Sequence, residues 1–211
     1  MAFKAMSHQF ARITVALIAA LLLTLLAACN TAPINYQGVL YQPGSATDML
    51  SMPSATRASI DDLATALVGL SSKVQRADAT ALAKEAHLYP LHLANVWQVG
   101  EYPLLHNLKR NSGEREYGLC IDWTFAMRER MRGMGLGSFD WYWGIANQGS
   151  DLFEHSTLVV TAKGQPFTSG IVLDPWRNSG RLFWRAIDQD PKYKWSPYTE
   201  PEGWSPFKGT L

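Results

Sequence analysis

The stretch that decides the fold runs from Tyr117 to Trp176, and it opens with Gly118-Leu119-Cys120-Ile121-Asp122-Trp123-Thr124-Phe125-Ala126-Met127-Arg128-Glu129-Arg130-Met131-Arg132. Cys120, Trp123, Met127 and Met131 are spaced for one face of a helix, and Gly133 and Gly135 stop it. Downstream, His155-Ser156-Thr157-Leu158-Val159-Val160-Thr161-Ala162 and Ser169-Gly170-Ile171-Val172-Leu173-Asp174 are β-branched runs. Lys163-Gly164-Gln165-Pro166-Phe167 supplies turn chemistry between them. The pattern predicts a helix followed by a β-hairpin.

Register gives the hairpin chemical meaning. If its loop is centred on Gly164 and Gln165, His155 and Asp174 face each other directly, with Cβ atoms roughly 4.5–5.5 Å apart. A slip of one residue would send them to opposite faces. A thiol at a helix N-terminus sits among free N–H groups and the positive end of the dipole, which favour the reactive thiolate. An imidazole can take the thiol proton and return it to a leaving group, while a carboxylate on its other nitrogen fixes the tautomer. Cys120, His155 and Asp174 are therefore the candidate nucleophile, base and orienter.

This order, a cysteine on a helix, a histidine on one strand and an aspartate on the next, resembles the transglutaminase-like superfamily with its bacterial cysteine proteinases. The resemblance covers about residues 100 to 195. It is carried by Gly118-Leu119-Cys120-Ile121-Asp122-Trp123, Glu154-His155-Ser156 and Val172-Leu173-Asp174-Pro175-Trp176. It implies an α+β, papain-like core and acyl transfer through a thioester, ending in hydrolysis or cross-linking, without a cofactor. In papain-like enzymes a side-chain amide ahead of the nucleophile often helps to hold the oxyanion. Asn107 is the first choice here, ahead of Asn111 and Gln98, with a turn-forming asparagine as the competing reading.

The N-terminus carries an address. Lys4 and Arg12 precede an apolar run from Ile13 to Ala28, and Leu26-Ala27-Ala28-Cys29 resembles a bacterial lipobox. Residues 1–28 are expected to be a lipoprotein signal peptide, with Cys29 carrying lipid; the run is short for a stable membrane span. Asn30 after the lipidated position implies, by resemblance to Gram-negative sorting, the periplasmic face of the outer membrane. Removing 28 of the 211 residues leaves 183, enough for one domain. The signal takes two basic residues and no acid, so a net charge of +1 becomes −1, which offers nothing to nucleic acid.

Residues 29–57, rich in Pro, Gly and Ser, read as a tether, and residues 58–211 as the domain. Ser59 and Asp62 are placed to cap a helix carrying Ile60, Leu63, Leu67 and Val74. Asp78 is placed to cap a second, which Pro90 ends or kinks. A helical N-terminal part packed on a small antiparallel sheet is the expected architecture. Residues 102–107 read as a loop, which weakens His106 as a rival base. His87 and His92 read as packing residues.

Of the two cysteines, lipidation of Cys29 leaves Cys120 with no disulfide partner in an oxidising compartment. Its competing reading is a small buried hydrophobe. A metal centre is disfavoured, since no Cys-x-x-Cys or His-x-x-x-His pair exists. Asp122 is expected to support the loop before its helix, and Glu154 to line a cleft or face solvent. Trp176 is expected to shield the His–Asp pair from water, and Trp195 and Trp204 to anchor an extended C-terminal tail. These readings lead to a lipid-anchored envelope hydrolase or acyltransferase acting on a peptide or protein amide. A non-catalytic binding or scaffold lipoprotein is the alternative.

Overall fold

A computed structural model describes residues 54–199, except 101 and 151, together with 204 and 206. The signal peptide, Cys29 and most of the tether lie outside the described residues. Among the described residues, four helices precede or flank a mixed-length sheet: α1 (Ser54–Gly69), α2 (Arg76–Val96), α3 (Pro103–Asn111), α4 (Cys120–Gly133), then β1 (Phe139–Ala146), β2 (His155–Ala162), β3 (Ile171–Asp174), β4 (Phe183–Ala186) and β5 (Ser196–Tyr198). The sheet order is β4-β3-β2-β1-β5, and every neighbouring pair is antiparallel. The chain is thus α+β.

Alternation along the strands divides the core. Phe139, Leu158, Val160, Ala162, Ile171 and Leu173 point to one side, where Ile60, Leu63, Leu67, Leu82, Ala86, Met127 and Met131 of the helices close over them. Val159 and Val172 point to the other side and pack with Phe167, Tyr142, Ile187 and Trp195. All eight residues of β2 are buried, as expected of a central strand covered on both faces.

Several expectations need correction. Helix α1 starts at Ser54, so residues 54–57 are helical and not tether. Ser59 therefore lies inside the helix, where its O–H donates to His87 Nε2 (2.8 Å) and its oxygen accepts from Trp184 Nε1 (3.1 Å). The residue holds the helices to β4 instead of capping anything. Asp78 likewise sits in the first turn of α2 and accepts from Ser138 N and Oγ, at 3.1 and 2.6 Å, pinning the turn before β1. Pro90 does not end α2, which continues to Val96. A proline inside a helix forfeits one backbone bond, and burial of Leu82, Ala86, Leu93 and Ala94 along α2 outweighs that loss. Tyr102 to Asn107 is not a loop: Pro103 occupies the first turn of α3, where its missing N–H costs nothing.

The hairpin register also differs. Leu158 pairs with Leu173, Val159 with Val172 and Val160 with Ile171, because Phe167–Ser169 forms a 3-10 turn that lengthens the connection. Asp174 is therefore displaced by two residues from the position facing His155. A two-residue displacement preserves the face, so the pair survives as diagonal neighbours.

Candidate functional site

Helix α4 begins at Cys120 with Leu119 as its cap residue. Leucine has no side-chain acceptor, so the free N–H groups before the helix are satisfied by Asp122, whose Oδ2 accepts from Gly118 N and Leu119 N, both at 2.9 Å. Burial raises the Asp122 carboxyl, and these bonds oppose the shift. The loop is further fixed by His106, which is fully buried on α3 and donates from Nε2 to the Tyr117 carbonyl at 2.8 Å. Gly118 lies against that ring: with φ +119°, an added Cβ would stand 2.2 Å from His106 Nε2. His106 is a fixed wall of the loop, with no contact to Asp174.

The sulfur of Cys120 lies at the backbone N–H groups of Ser156 and Ile121, which favour the thiolate. Burial outweighs them and, helped by the charges of Asp174 and Asp122, pushes the thiol up to about 11. The expectation of a thiolate poised by the helix N-terminus is corrected accordingly: desolvation exceeds the dipole and the two bonds. The residue as a whole remains half-buried.

His155 Nε2 donates to Asp174 Oδ2 at 2.7 Å. Both side chains are within 1–2% of complete burial. The other ring nitrogen, Nδ1, is buried with no hydrogen-bond partner, so the structure joins His155 to Asp174 but does not bond it to the Cys120 sulfur; in this tautomer Nδ1 carries the lone pair a base requires. His155 shares its sheet face with Val159 and not with Leu158, so its ring does not lie directly beneath α4. It opens β2, however, and so stands at the end of the sheet. There Trp176 contacts the ring at 4.6 Å between centroids. Trp176 also packs with Trp97, Trp123 and Ala126, the cluster against which Cys120 rests.

The C-terminal segment completes the enclosure. Tyr193 and Trp195 lie 4.8 and 5.5 Å from the His155 ring. They are held by a chain of charges: Arg177 Nε donates to Asp174 Oδ2 at 2.7 Å, and its terminal nitrogens donate to both oxygens of Asp190. Asp190 in turn accepts from Trp195 Nε1 at 2.8 Å and from the backbone of Lys192 and Tyr193. Although burial pushes the Asp190 carboxyl up, the Arg177 bond and its other donors bring it down to about 2. The Arg177 guanidinium is stacked 3.9 Å from Phe183 and 4.7 Å from Tyr193.

Asn107 lies on α3, and its Oδ1 accepts from Trp176 Nε1 at 3.2 Å, which leaves its amide N–H groups to donate elsewhere. Among the described residues no hydrogen bond joins Gln98 or Asn111 to Cys120 or His155, and Gln98 N donates to Asn95 O at the end of α2. His87 donates from Nδ1 to Ala83 O, and burial lowers its pKa, as suits a neutral packing residue; His92 stacks on Tyr89. Among the described residues there is no cluster of three metal-ligating side chains.

Sequence reasoning missed Arg177, Asp190 and Tyr193. Arg177 and Asp190 are charged residues in a Trp- and Pro-rich segment, and only the fold reveals that one guanidinium bridges two carboxylates. No protein-family model, curated protein or solved structure matches the chain, so the functional reading rests on this geometry.

Proposed function

We infer that the chain is a lipid-anchored envelope enzyme with a transglutaminase-like, papain-like core that transfers the acyl group of a peptide or protein amide through a thioester on Cys120. The observation that carries this reading is the buried His155–Asp174 pair with Nδ1 of the same ring unpartnered, beside the strand residue at which the sulfur lies. In the neutral resting state Nδ1 takes the thiol proton as the sulfur attacks the carbonyl carbon. The C–N bond then breaks, and the imidazolium returns that proton to the departing amine. Asp174 holds the imidazole tautomer and stabilises the imidazolium. Arg177 holds Asp174. In this reading the Cys120 N–H and, as the resemblance implies, the amide of Asn107 serve the oxyanion. Water then gives hydrolysis, or an amine gives cross-linking. The anchor is the lipid on Cys29.

A second reading, a binding or scaffold lipoprotein that keeps the fold without turnover, is favoured by the high thiol pKa and by the imidazole lying under the C-terminal aromatics. The discriminating experiment incubates the protein with peptide thioesters and envelope extract and seeks an acyl adduct on Cys120 by mass spectrometry. An adduct that disappears in Cys120→Ala and forms at least about 100-fold more slowly in His155→Ala supports the enzyme. An unmodified Cys120 throughout supports the scaffold.

A further inference from the structure

Arg110 follows His106 by one helical turn on α3 and so projects from the same side of that helix. His106 is fully buried, whereas Leu104, Leu105 and Leu108 on the other side are exposed. Arg110 is thus turned inward, towards the loop that leads to Cys120. It lines a pocket of about 420 Å³ together with Gly113, Arg115, Glu116, Tyr117 and Pro206.

The charges around it have partners. Glu114 meets Lys109 at 3.8 Å and Arg115 at 3.5 Å, and Glu116 accepts from the Tyr117 hydroxyl at 2.9 Å. Among the described residues the Arg110 side chain enters no hydrogen bond and no ion pair, and its Nε is buried without a partner. Burial raises the Asp122 carboxyl, and the Arg110 charge is one of the influences that oppose the shift, yet the two do not form an ion pair. Charges turned into a protein are ordinarily paired, and an unpaired one beside a pocket points to a counter-ion supplied from outside. Unlike Nε, the terminal nitrogens of Arg110 are not sealed, so they are the atoms such a group meets.

Charge sets the class of ligand. From Lys109 to Tyr117 three cations, Lys109, Arg110 and Arg115, stand against two carboxylates, Glu114 and Glu116, which leaves one positive charge. A monoanion balances it, and a doubly charged phosphate exceeds it. A carboxylate has that charge, and its two oxygens match the planar guanidinium fork. Tyr117 precedes Cys120 by three residues, so their Cα atoms are at most about 11 Å apart, the reach of about three extended peptide residues.

We propose that this pocket is a subsite for a carboxylate of the peptide substrate, from an acidic side chain or a free C-terminus, with Arg110 as the specificity-determining counter-ion. The proposal rests on the acyl-transfer reading for the carboxylate's belonging to a substrate but not for its binding.

The test uses the full chain and peptides of one sequence. One set is blocked at both ends and carries Glu, Gln or Lys at each position in turn; one further peptide has no acidic side chain and a free C-terminal carboxylate. Calorimetric affinities are measured for every peptide and for inorganic phosphate, with acylation of Cys120 followed separately by mass spectrometry. The expected result is a Glu peptide or the free-carboxylate peptide bound about 10-fold or more tighter than its blocked Gln counterpart, and the one that is identifies the source of the carboxylate. That ratio is lost in Arg110→Gln at an unchanged melting temperature and shrinks in Arg110→Lys, which keeps the charge without the fork. A merely structural Arg110 would move the melting temperature and leave the ratio intact. No preference for a carboxylate, a preference for Lys, tighter binding of phosphate than of either carboxylate peptide, or an unaltered ratio in Arg110→Gln overturns the proposal. Carboxylate-selective binding without any acylation would overturn the acyl-transfer reading and leave the subsite standing.

Discussion

His155 Nε2 and Asp174 Oδ2 are 2.7 Å apart although the two residues are not direct cross-strand partners. The 3-10 turn at Phe167–Ser169 shifts the hairpin by two positions, and the bond forms along the diagonal. Asp174 Oδ2 thereby accepts from both His155 Nε2 and Arg177 Nε.

Replacing Asp174 by Asn removes the charge between these donors while keeping the volume. In an acyl-transfer site the wrong imidazole tautomer lowers turnover by about 10⁴-fold. Arg177 keeps Asp190, so weakening its one bond to residue 174 lowers stability by about 1–3 kcal/mol. Single-turnover acylation and urea unfolding of Asp174→Asn measure the two effects separately; normal acylation with lowered stability would reduce Asp174 to a structural anchor.

The thiol pKa near 11 sets the reactivity of Cys120 towards simple alkylating agents. Only thiolate reacts, so iodoacetamide should label resting protein at pH 7.5 more slowly than it labels free cysteine, with the rate climbing until about pH 11. The folded pKa lies above the ordinary value of 9.0, so the native state holds this proton more tightly. The corresponding stability is fully present below pH 9 and is lost as pH rises from 9 to about 11. Cys120→Ser should abolish that alkaline decline in melting temperature.

Asp190 shows the opposite sign. Its carboxyl is brought from 3.8 down to about 2, so its contribution is present above pH 4 and disappears as pH falls towards 2. Asp190→Asn should remove this acid dependence. It should also release the indole of Trp195 and the backbone of Lys192 and Tyr193, seen as faster hydrogen exchange across residues 192–198 and increased solvent quenching of tryptophan fluorescence.

Gly118→Ala tests the loop before Cys120. The new Cβ would collide with His106 and occupy a left-handed backbone, φ +119°. A loss of about 2 kcal/mol or more is expected in thermal unfolding. The double variant with His106→Ala should regain the steric part and retain the backbone part.

Local patterning determined α4, β2 and β3 closely, because their apolar periods, glycine stops and β-branched runs match what each element needs in isolation. It also put His155 and Asp174 on one face, since the period of two tolerates a displacement of two residues. β1 was hidden in Phe139-Asp140-Trp141-Tyr142-Trp143, where aromatics on both faces obscure alternation. α3 was hidden because it is only nine residues long and opens on Pro103, which reads as a breaker although it occupies the first turn.

Only tertiary structure decided the protonation of Cys120, because desolvation depends on what packs around the sulfur and not on its position in a helix. The same holds for the bridge Asp174–Arg177–Asp190 that brings Tyr193 and Trp195 onto His155. Chain order fixes which elements form, through short-range sterics and hydrophobic period. The environment of a charge or a thiol is set by segments far away along the chain, and it exists only once they have folded together.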